Sequence, residues 1–268
     1  MNQESSLFYQ DLDIISNDQV APGYYEMTLL SPEIAGTAKP GQFVTLLCEI
    51  KVGKHSYGPI LRRPFSFHTI SENAFSILYK VVGPGTEIMH EKDPGDEINV
   101  LGPLGNGFSL DGYDKLLFVA GGTGVSPLYA LASEAKNQKK NITALIGAKT
   151  KDLILCKDFP ANQVMVSTDD GTYGYNCYVT DLMKTALEAE QFDQIYVAGP
   201  REMEARAKEI AKEHDTPGQV TTEETIACGI GACYGCAIPI RADNELGFTY
   251  KKVCKDGPVF KLDEVIFR

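Results

Sequence analysis

The first hundred residues group their apolar positions in short extended segments, cut by glycine, proline and asparagine. Phe8–Ile15, Tyr24–Leu30, Gln42–Cys48, Phe65–Thr69, Phe75–Val82 and Glu97–Leu101 read as strands. Ala21-Pro22-Gly23, Lys39-Pro40-Gly41, Ser71-Glu72-Asn73 and Asp93-Pro94-Gly95 separate them with turn-forming residues. Strands at this spacing predict a small antiparallel barrel or sandwich, with one short helix over Thr86–Lys92. Beyond Gly102-Pro103-Leu104-Gly105-Asn106-Gly107 the pattern changes. Lys115–Ala120 is an apolar run of the kind found in strands buried on both faces. A glycine turn and a helix through about Ala135 follow, then strands at Ile142–Gly147, Val164–Ser167 and Gln194–Ala198. Helices are expected near Val179–Glu190 and Arg201–Glu213. Strands alternating with helices predict βαβ units in a doubly wound parallel sheet. From about Gln219 onward glycines and cysteines replace any period, and no internal repeat or low-complexity tract is present.

That last stretch carries the most specific chemistry. Cys228, Cys233 and Cys236 follow C-x4-C-x2-C, with Cys254 as a distant fourth. This is the ligand spacing of a plant-ferredoxin type [2Fe–2S] cluster, which passes one electron at a time. Gly229, Gly231 and Gly235 let the backbone bend around an inorganic core and turn N–H groups toward sulfur. A metal is therefore expected to organise the segment. Zinc is the competing reading, since it also takes four thiolates, but zinc ribbons pair one C-x2-C with another. A disulfide framework fits poorly with seven cysteines in 268 residues. Cys48, Cys156 and Cys177 sit singly and read as ordinary buried thiols.

Composition narrows the classes further. The chain is 43% hydrophobic, enough for more than one core. Its formal net charge of −11, from 36 acidic and 25 basic side chains, argues against a nucleic-acid partner. Met1-Asn2-Gln3-Glu4-Ser5-Ser6 lacks the basic start and apolar core of a signal peptide. No apolar run approaches the roughly 18 residues of a membrane span. A cytoplasmic protein with reduced thiols and no membrane contact is expected.

Four other motifs suit cofactors. In Leu61-Arg62-Arg63-Pro64-Phe65-Ser66-Phe67, two guanidinium groups suit pyrophosphate, Phe65 offers an aromatic face and Ser66 a hydroxyl for a ring nitrogen. An Arg-Pro pair on a barrel rim also serves structure alone. Val82-Gly83-Pro84-Gly85-Thr86-Glu87 reads either as a phosphate approach capped by Thr86 or as a plain Pro-Gly turn. Phe118–Leu128, containing Gly121-Gly122-Thr123-Gly124, joins a strand to a helix whose first N–H groups favour a dinucleotide phosphate. It is not G-x-G-x-x-G, and such turns also occur for packing. Val197-Ala198-Gly199-Pro200-Arg201-Glu202-Met203 repeats the logic, so both turns would border the crevice of an open sheet.

Arg63-Pro64-Phe65-Ser66, Gly121-Gly122-Thr123-Gly124 and Gly199-Pro200-Arg201-Glu202-Met203, in that order, resemble the motifs of the ferredoxin–NAD(P) reductase superfamily. Ala227-Cys228-Gly229-Ile230-Gly231-Ala232-Cys233, with Val253-Cys254-Lys255-Asp256-Gly257-Pro258-Val259-Phe260, is similar to the electron-transfer subunits of dihydroorotate dehydrogenase B. The resemblance covers essentially the whole chain. It implies a flavin-binding barrel over residues 1–108, a nicotinamide-binding α/β domain over 109–218 and an iron–sulfur segment over 219–268. FAD contacts are implied at Arg63, Pro64, Phe65, Ser66, Leu78, Tyr79, Lys80, Gly85 and Thr86, and NAD contacts at Gly121, Gly122, Thr123, Gly124, Gly199 and Pro200. Cluster ligands are implied at Cys228, Cys233, Cys236 and Cys254. Many superfamily members have tyrosine where this chain has Phe65, which keeps a stacking surface without the phenol.

The same resemblance implies an oxidoreductase component that relays electrons in pyrimidine (UMP) biosynthesis. FAD converts between the hydride of NAD(H) and the single electrons of the cluster. The partner is an FMN-containing dihydroorotate dehydrogenase subunit, in a heterotetramer of two of each, and that chain holds the dihydroorotate site. No acid or base of this chain is required for hydride transfer, so no catalytic residue is assigned. His55, His68, His90 and His214 are scattered and read as surface or structural residues. Lys251, Lys252 and Lys255 flank Cys254 and either tune the cluster, meet an acidic partner or form a solvated face. Thr168-Asp169-Asp170-Gly171 would repel a 2′-phosphate and favours NAD, whereas Lys149 and Lys151 point toward NADP. Two alternatives stand beside this reading. One is a similar FAD/[2Fe–2S] NAD(P)H reductase subunit serving ferredoxin or a sulfur-metabolising partner, and the other is a zinc-stabilised interaction module.

Overall fold

The computed structural model describes residues 7–53 and 55–267. The N-terminal strands are β1 (Phe8–Ala21), β2 (Tyr24–Leu30), β3 (Phe43–Leu47), β4 (Ile50–Val52), β5 (His55–Tyr57), β6 (Arg63–Ile70), β7 (Ala74–Lys80) and β8 (Glu97–Leu104). Six of them close a barrel in the order β1-β2-β7-β6-β3-β8, while β4 and β5 form a separate exposed hairpin. The barrel, rather than a sandwich, follows from β1. Its first half pairs with β8 and its second with β2, so one long strand changes partners and joins the edges. Phe67, Phe75, Met27, Ile77 and Val100 fill the interior.

Two helices belong to the barrel. In α1 (Pro32–Ala35), Ser31 caps the start by accepting the Ile34 N–H at 3.2 Å. The other, α2 (Pro84–His90), begins two residues before the expected Thr86 because Pro84 suits a first helical position.

The second domain follows the predicted alternation. Its elements are β9 (Lys115–Gly121), α3 (Val125–Asn137), β10 (Asn141–Ala148), β11 (Gln163–Thr168), α4 (Val179–Ala189), β12 (Gln194–Ala198) and α5 (Arg201–Glu213). Leu117 and Val119 of β9 face one core and Leu116, Phe118 and Ala120 the other, so the strand is apolar on both sides.

The cysteine-bearing region is more regular than expected. It contains β13 (Gly218–Thr221), β14 (Ala237–Arg241), β15 (Phe248–Lys252), the single turn α6 (Val253–Asp256) and β16 (Val259–Lys261). The main sheet runs β11-β10-β9-β12-β13-β16, so this region supplies two of its strands. β13 is parallel to β12, and β16 is antiparallel to β13. β14 and β15 form a hairpin of their own. No helix among the described residues is long and apolar enough to cross a membrane.

Candidate functional site: a three-walled cleft beside paired cysteines

The strand β6 supplies the first wall. Its pairing with β7 begins only at Phe67, while Arg63–Ser66 pair with β3 alone. Pro64 is tolerated there because no ladder on the β7 side needs its missing N–H. The overhanging stretch lines a cleft of about 620 Å³ with Leu78, Tyr79 and Lys80 of β7. Phe65 meets Tyr79 edge-on at 5.9 Å, and Tyr79 is anchored by its hydroxyl donating to Asn17 Oδ1 at 2.8 Å.

The adjacent arginines divide. Arg62 donates to Thr45 O and Oγ1 and to Asn99 O and Oδ1, and its guanidinium covers the Tyr9 ring. It ties β3 to β8 and is structural. Arg63 faces the cleft instead, lying so close to Gly85 that a Cβ there would come within 3.1 Å of its Nε. Thr86 also lines the cleft, but its hydroxyl is spent on its own turn. It accepts from the N–H groups of Val82 and Gly83 and donates to Gly83 O.

The two glycine turns form the second wall. Thr123, Gly124 and Gly199 line the cleft together with Ser126 and Pro127. Gly121, Gly122 and Pro200 stand one step behind it. A Cβ on Gly121 would lie 2.6 Å from Met203 Sδ, and one on Gly124 would lie 2.2 Å from Ala198 O. These glycines let the ends of β9 and β12 press together, so packing explains part of both motifs. Ser126 Oγ is buried at the start of α3 without a partner among the described residues.

The third wall was not singled out from the sequence. Thr221, Thr222, Glu223, Glu224 and Ile226 line the same cleft. Thr221 ends β13 and the others lie between it and Cys228, and their only signal was that position. Glu223 is exposed at the cleft wall, and desolvation by the surrounding protein raises its carboxyl. Glu224 is paired with Arg201.

Two residues beyond Ile226 the cysteines begin. Cys233 N–H approaches Cys228 Sγ at 3.5 Å, Gly235 N–H approaches Cys233 Sγ at 3.4 Å, and Cys254 N–H approaches Cys236 Sγ at 3.4 Å. The thiols are thus arranged as two pairs, Cys228 with Cys233 and Cys236 with Cys254. Among the described residues, no three His, Cys, Asp or Glu side chains converge on one point as a single ion requires. Burial opposes ionisation of Cys228, but the N–H groups of Cys233, Ile230 and Ala232 outweigh it and bring the thiol down to about 6. Burial and the adjacent Cys236 push Cys254 up to about 12, against the Gly231 N–H. Such neighbours ionise together only around a cation, and paired thiols inside an N–H cradle suit a two-iron cluster better than one zinc ion.

The loop is held from outside. Lys252 Nζ donates to Gly231 O at 3.0 Å and sits 4.3 Å from the Tyr234 ring centroid. Tyr234 has φ +60°, a left-handed conformation that is costly for a bulky residue. On the inner side, Gly229 lies against Leu104 and Thr45 of the barrel.

Other candidates lie away from the cleft. Cys48 is fully buried, but Cys156 and Cys177 are only half-buried at the edges of cores. His68 is buried 4.6 Å from the Tyr129 ring, with Cys156 Sγ 3.7 Å from its Nε2, and burial lowers its pKa. Asp169 and Asp170 follow β11 beside the Lys149–Lys151 loop. Asp170 accepts the Thr172 hydroxyl and N–H, and these bonds hold its carboxyl below the usual range.

A barrel whose open strand faces glycine turns at the carboxyl ends of a parallel sheet defines a flavin- and nicotinamide-dependent reductase fold. A Neisseria gonorrhoeae ferredoxin NADP+ reductase with bound FAD and NADP shares it, with TM-score 0.62, 16% identity, and coverage of 77% of this chain and 91% of that one. Residues 118–209 match the model of the oxidoreductase NAD-binding domain, and 223–266 that of the iron–sulfur cluster binding domain of dihydroorotate dehydrogenase B. The chain belongs to the family of dihydroorotate dehydrogenase B electron transfer subunits. The subunit from Desulforamulus reducens is 37% identical over 96% of this chain and 98% of its own. The one from Caldanaerobacter subterraneus is 37% identical over 95% and 97%. A solved structure described as an NADH-dependent reduced ferredoxin-NADP oxidoreductase superposes with TM-score 0.84 at 30% identity, covering 96% of this chain and 90% of that one.

Proposed function

We propose that this chain carries electrons between NAD and a dihydroorotate-oxidising partner subunit, with FAD and NAD each held by one wall of the cleft and the cluster by the cysteines that follow the third. Its cofactors are FAD, a [2Fe–2S] cluster and exchangeable NAD(H). The observation that carries the reading is the cleft itself, whose third wall runs into Cys228 two residues after Ile226. When bound, FAD exchanges a hydride with the nicotinamide and single electrons with the cluster.

The residues divide the work. Arg63 meets the pyrophosphate of FAD, since its guanidinium is free of the barrel bonds that occupy Arg62. Phe65 and Tyr79 shelter the ring, and Ser66 offers its hydroxyl to a ring nitrogen. Leu78, Lys80, Gly85 and Thr86 complete this wall. Thr123, Gly124 and Gly199 receive the nicotinamide cofactor, with Ser126 as an added donor and Gly121, Gly122 and Pro200 shaping the turns behind. Cys228 with Cys233 holds one iron and Cys236 with Cys254 the other. No side chain of this chain needs to act on dihydroorotate.

The functional segments we assign are 1–108, 109–218 and 219–268, although the sheet of the second continues through β13 and is finished by β16. The partner carries FMN, the assembly holds two copies of each chain, and the complex is cytoplasmic. The test is a coupled assay with the loaded chain and its co-purified partner. Dihydroorotate is expected to drive NADH formation, with NADPH a poor reductant of the flavin. An iron-free, zinc-containing colourless protein, or a fully loaded complex inert to dihydroorotate, would overturn the reading. A second reading, delivery to ferredoxin, draws on the 30% identical oxidoreductase structure. It is favoured if the loaded chain reduces ferredoxin while the dihydroorotate assay fails.

A further inference from the structure

Behind the cleft lies a smaller hollow of about 210 Å³. Thr222 and Glu224 line both spaces, and exposed Arg201 and Tyr250 lie at the rim of the hollow. Its wall includes Glu204 from the first turn of α5, only 2% exposed. Among the described residues, the one hydrogen bond to that carboxyl comes from Gly199 N–H at 3.4 Å. Arg201, three residues earlier, is engaged by Glu224 instead. Thr222 is 5% exposed, and its buried hydroxyl has no partner among the described residues. Burial pushes the Glu204 carboxyl up to about 8; the Gly199 N–H opposes this, Glu223 adds to it and Arg201 opposes it. Glu204 therefore keeps its proton at neutral pH, on a hollow it shares with Thr222 that is roomy enough for water.

A proton is what the relay lacks. This step rests on the function proposed above. Forming NADH from NAD+ consumes two electrons and one proton, which leave together as a hydride. The cluster delivers electrons singly and no protons, so one proton per NADH must enter the flavin cleft by another route. We propose that Glu204, Thr222 and Glu223 form that route, with Glu204 as the reservoir, Thr222 as the bridge between the two spaces and Glu223 as the donor at the cleft wall. Glu204 regains its proton from solvent water through the rim of the hollow. The titratable and charged groups around it are Arg201 on its own helix, Glu223 and Glu224 on the linker, and Tyr250 of β15.

The reservoir is tested first without cofactors. The infrared carbonyl band of a protonated carboxylic acid is expected in the unloaded chain at neutral pH, to vanish with a midpoint near pH 8, and to be absent in Glu204→Gln. A native spectrum without that band at neutral pH overturns the proposal. The second test loads FAD and cluster and supplies electrons from photoreduced deazaflavin, so no partner is needed. NADH formation by Glu204→Gln is expected to fall about a hundredfold relative to flavin reduction by NADH, where the hydride brings its own proton. Its solvent deuterium isotope effect should grow. An equal fall in both directions, or none in either, refutes the route, because a merely structural residue would not separate them. If Glu204→Gln fails to fold, Thr222→Val, which alters no charge, should show a smaller split of the same kind. A native chain that forms no NADH would defeat the parent reading instead, and the infrared titration would still judge the reservoir.

Discussion

The barrel wall of the cleft and the cysteine loop beside it hold their chemistry by opposite means. Arg63–Ser66 ride on a strand registered against β3, backed by Phe67 and Phe75 with ring centroids 5.0 Å apart. Residues 222–236, all described, run without helix or strand. Their order comes from N–H groups turned toward sulfur, the Lys252 contact and a seat on the barrel at Gly229. A hydrophobic core pre-forms the first region, whereas the second gathers four thiols that repel one another when ionised. The difference teaches that the two cofactors stand in unequal relation to folding. The barrel is shaped before flavin arrives, and the loop is completed by its metal.

Replacing Cys254 by serine is the most damaging way to press this comparison. Iron content and the cluster's paramagnetic signal should collapse, and electron delivery to the partner should fall by about a hundredfold or more. Flavin reduction by NADH should largely survive. If both activities vanish together, the loop supports the whole fold and the contrast fails. Arg63→Ala addresses the other side. Losing a charge-assisted contact of about 1.5–3 kcal/mol should weaken FAD retention roughly ten- to hundredfold, read by fluorescence of released flavin, with cluster content unchanged.

Gly124→Ala probes the wall between them. Its Cβ would strike the Ala198 carbonyl at 2.2 Å, so the turn must shift, at a cost of about 1–3 kcal/mol in thermal stability and with weaker NADH binding. Gly121→Ala, which meets the movable end of Met203, should cost less. Lys252→Met is the mildest change. Removing its bond to Gly231 O and its contact with Tyr234 should cost the loop about 1 kcal/mol, seen as faster loss of cluster to a chelator.

Much of this was legible because each signal was local. The cysteine spacing, the apolar run of β9 and the Arg63–Ser66 motif each state their meaning within a dozen residues. What escaped depends on distant partners. Nothing in Arg62-Arg63 tells which guanidinium is consumed by Thr45 and Asn99 and which faces the cleft, tied there to Leu61 O. Gly121 and Gly199 read as phosphate turns, and only the fold reveals Met203 pressed against them. Thr222 and Glu223 carried no motif, and they matter because β13 aims them into the cleft. Regular structure after Gln219 was missed since its strands are short and two of them borrow their ladder from β12 and from each other.

That borrowing has a consequence for modularity. The chain leaves the main sheet at Thr221, makes its excursion through all four thiols, and re-enters at Val259 beside the strand it left. Val220, Phe260, Leu262 and Val265 share one core with Leu117 and Val119. The redox excursion is therefore an insertion between the last two strands of the sheet, not an appendix. A polypeptide ended at Pro217 would lose β13 and β16 and lay bare the flank of β12, an invitation to sticky self-association. Swapping the loop between relatives should succeed only when both flanking strands travel with it.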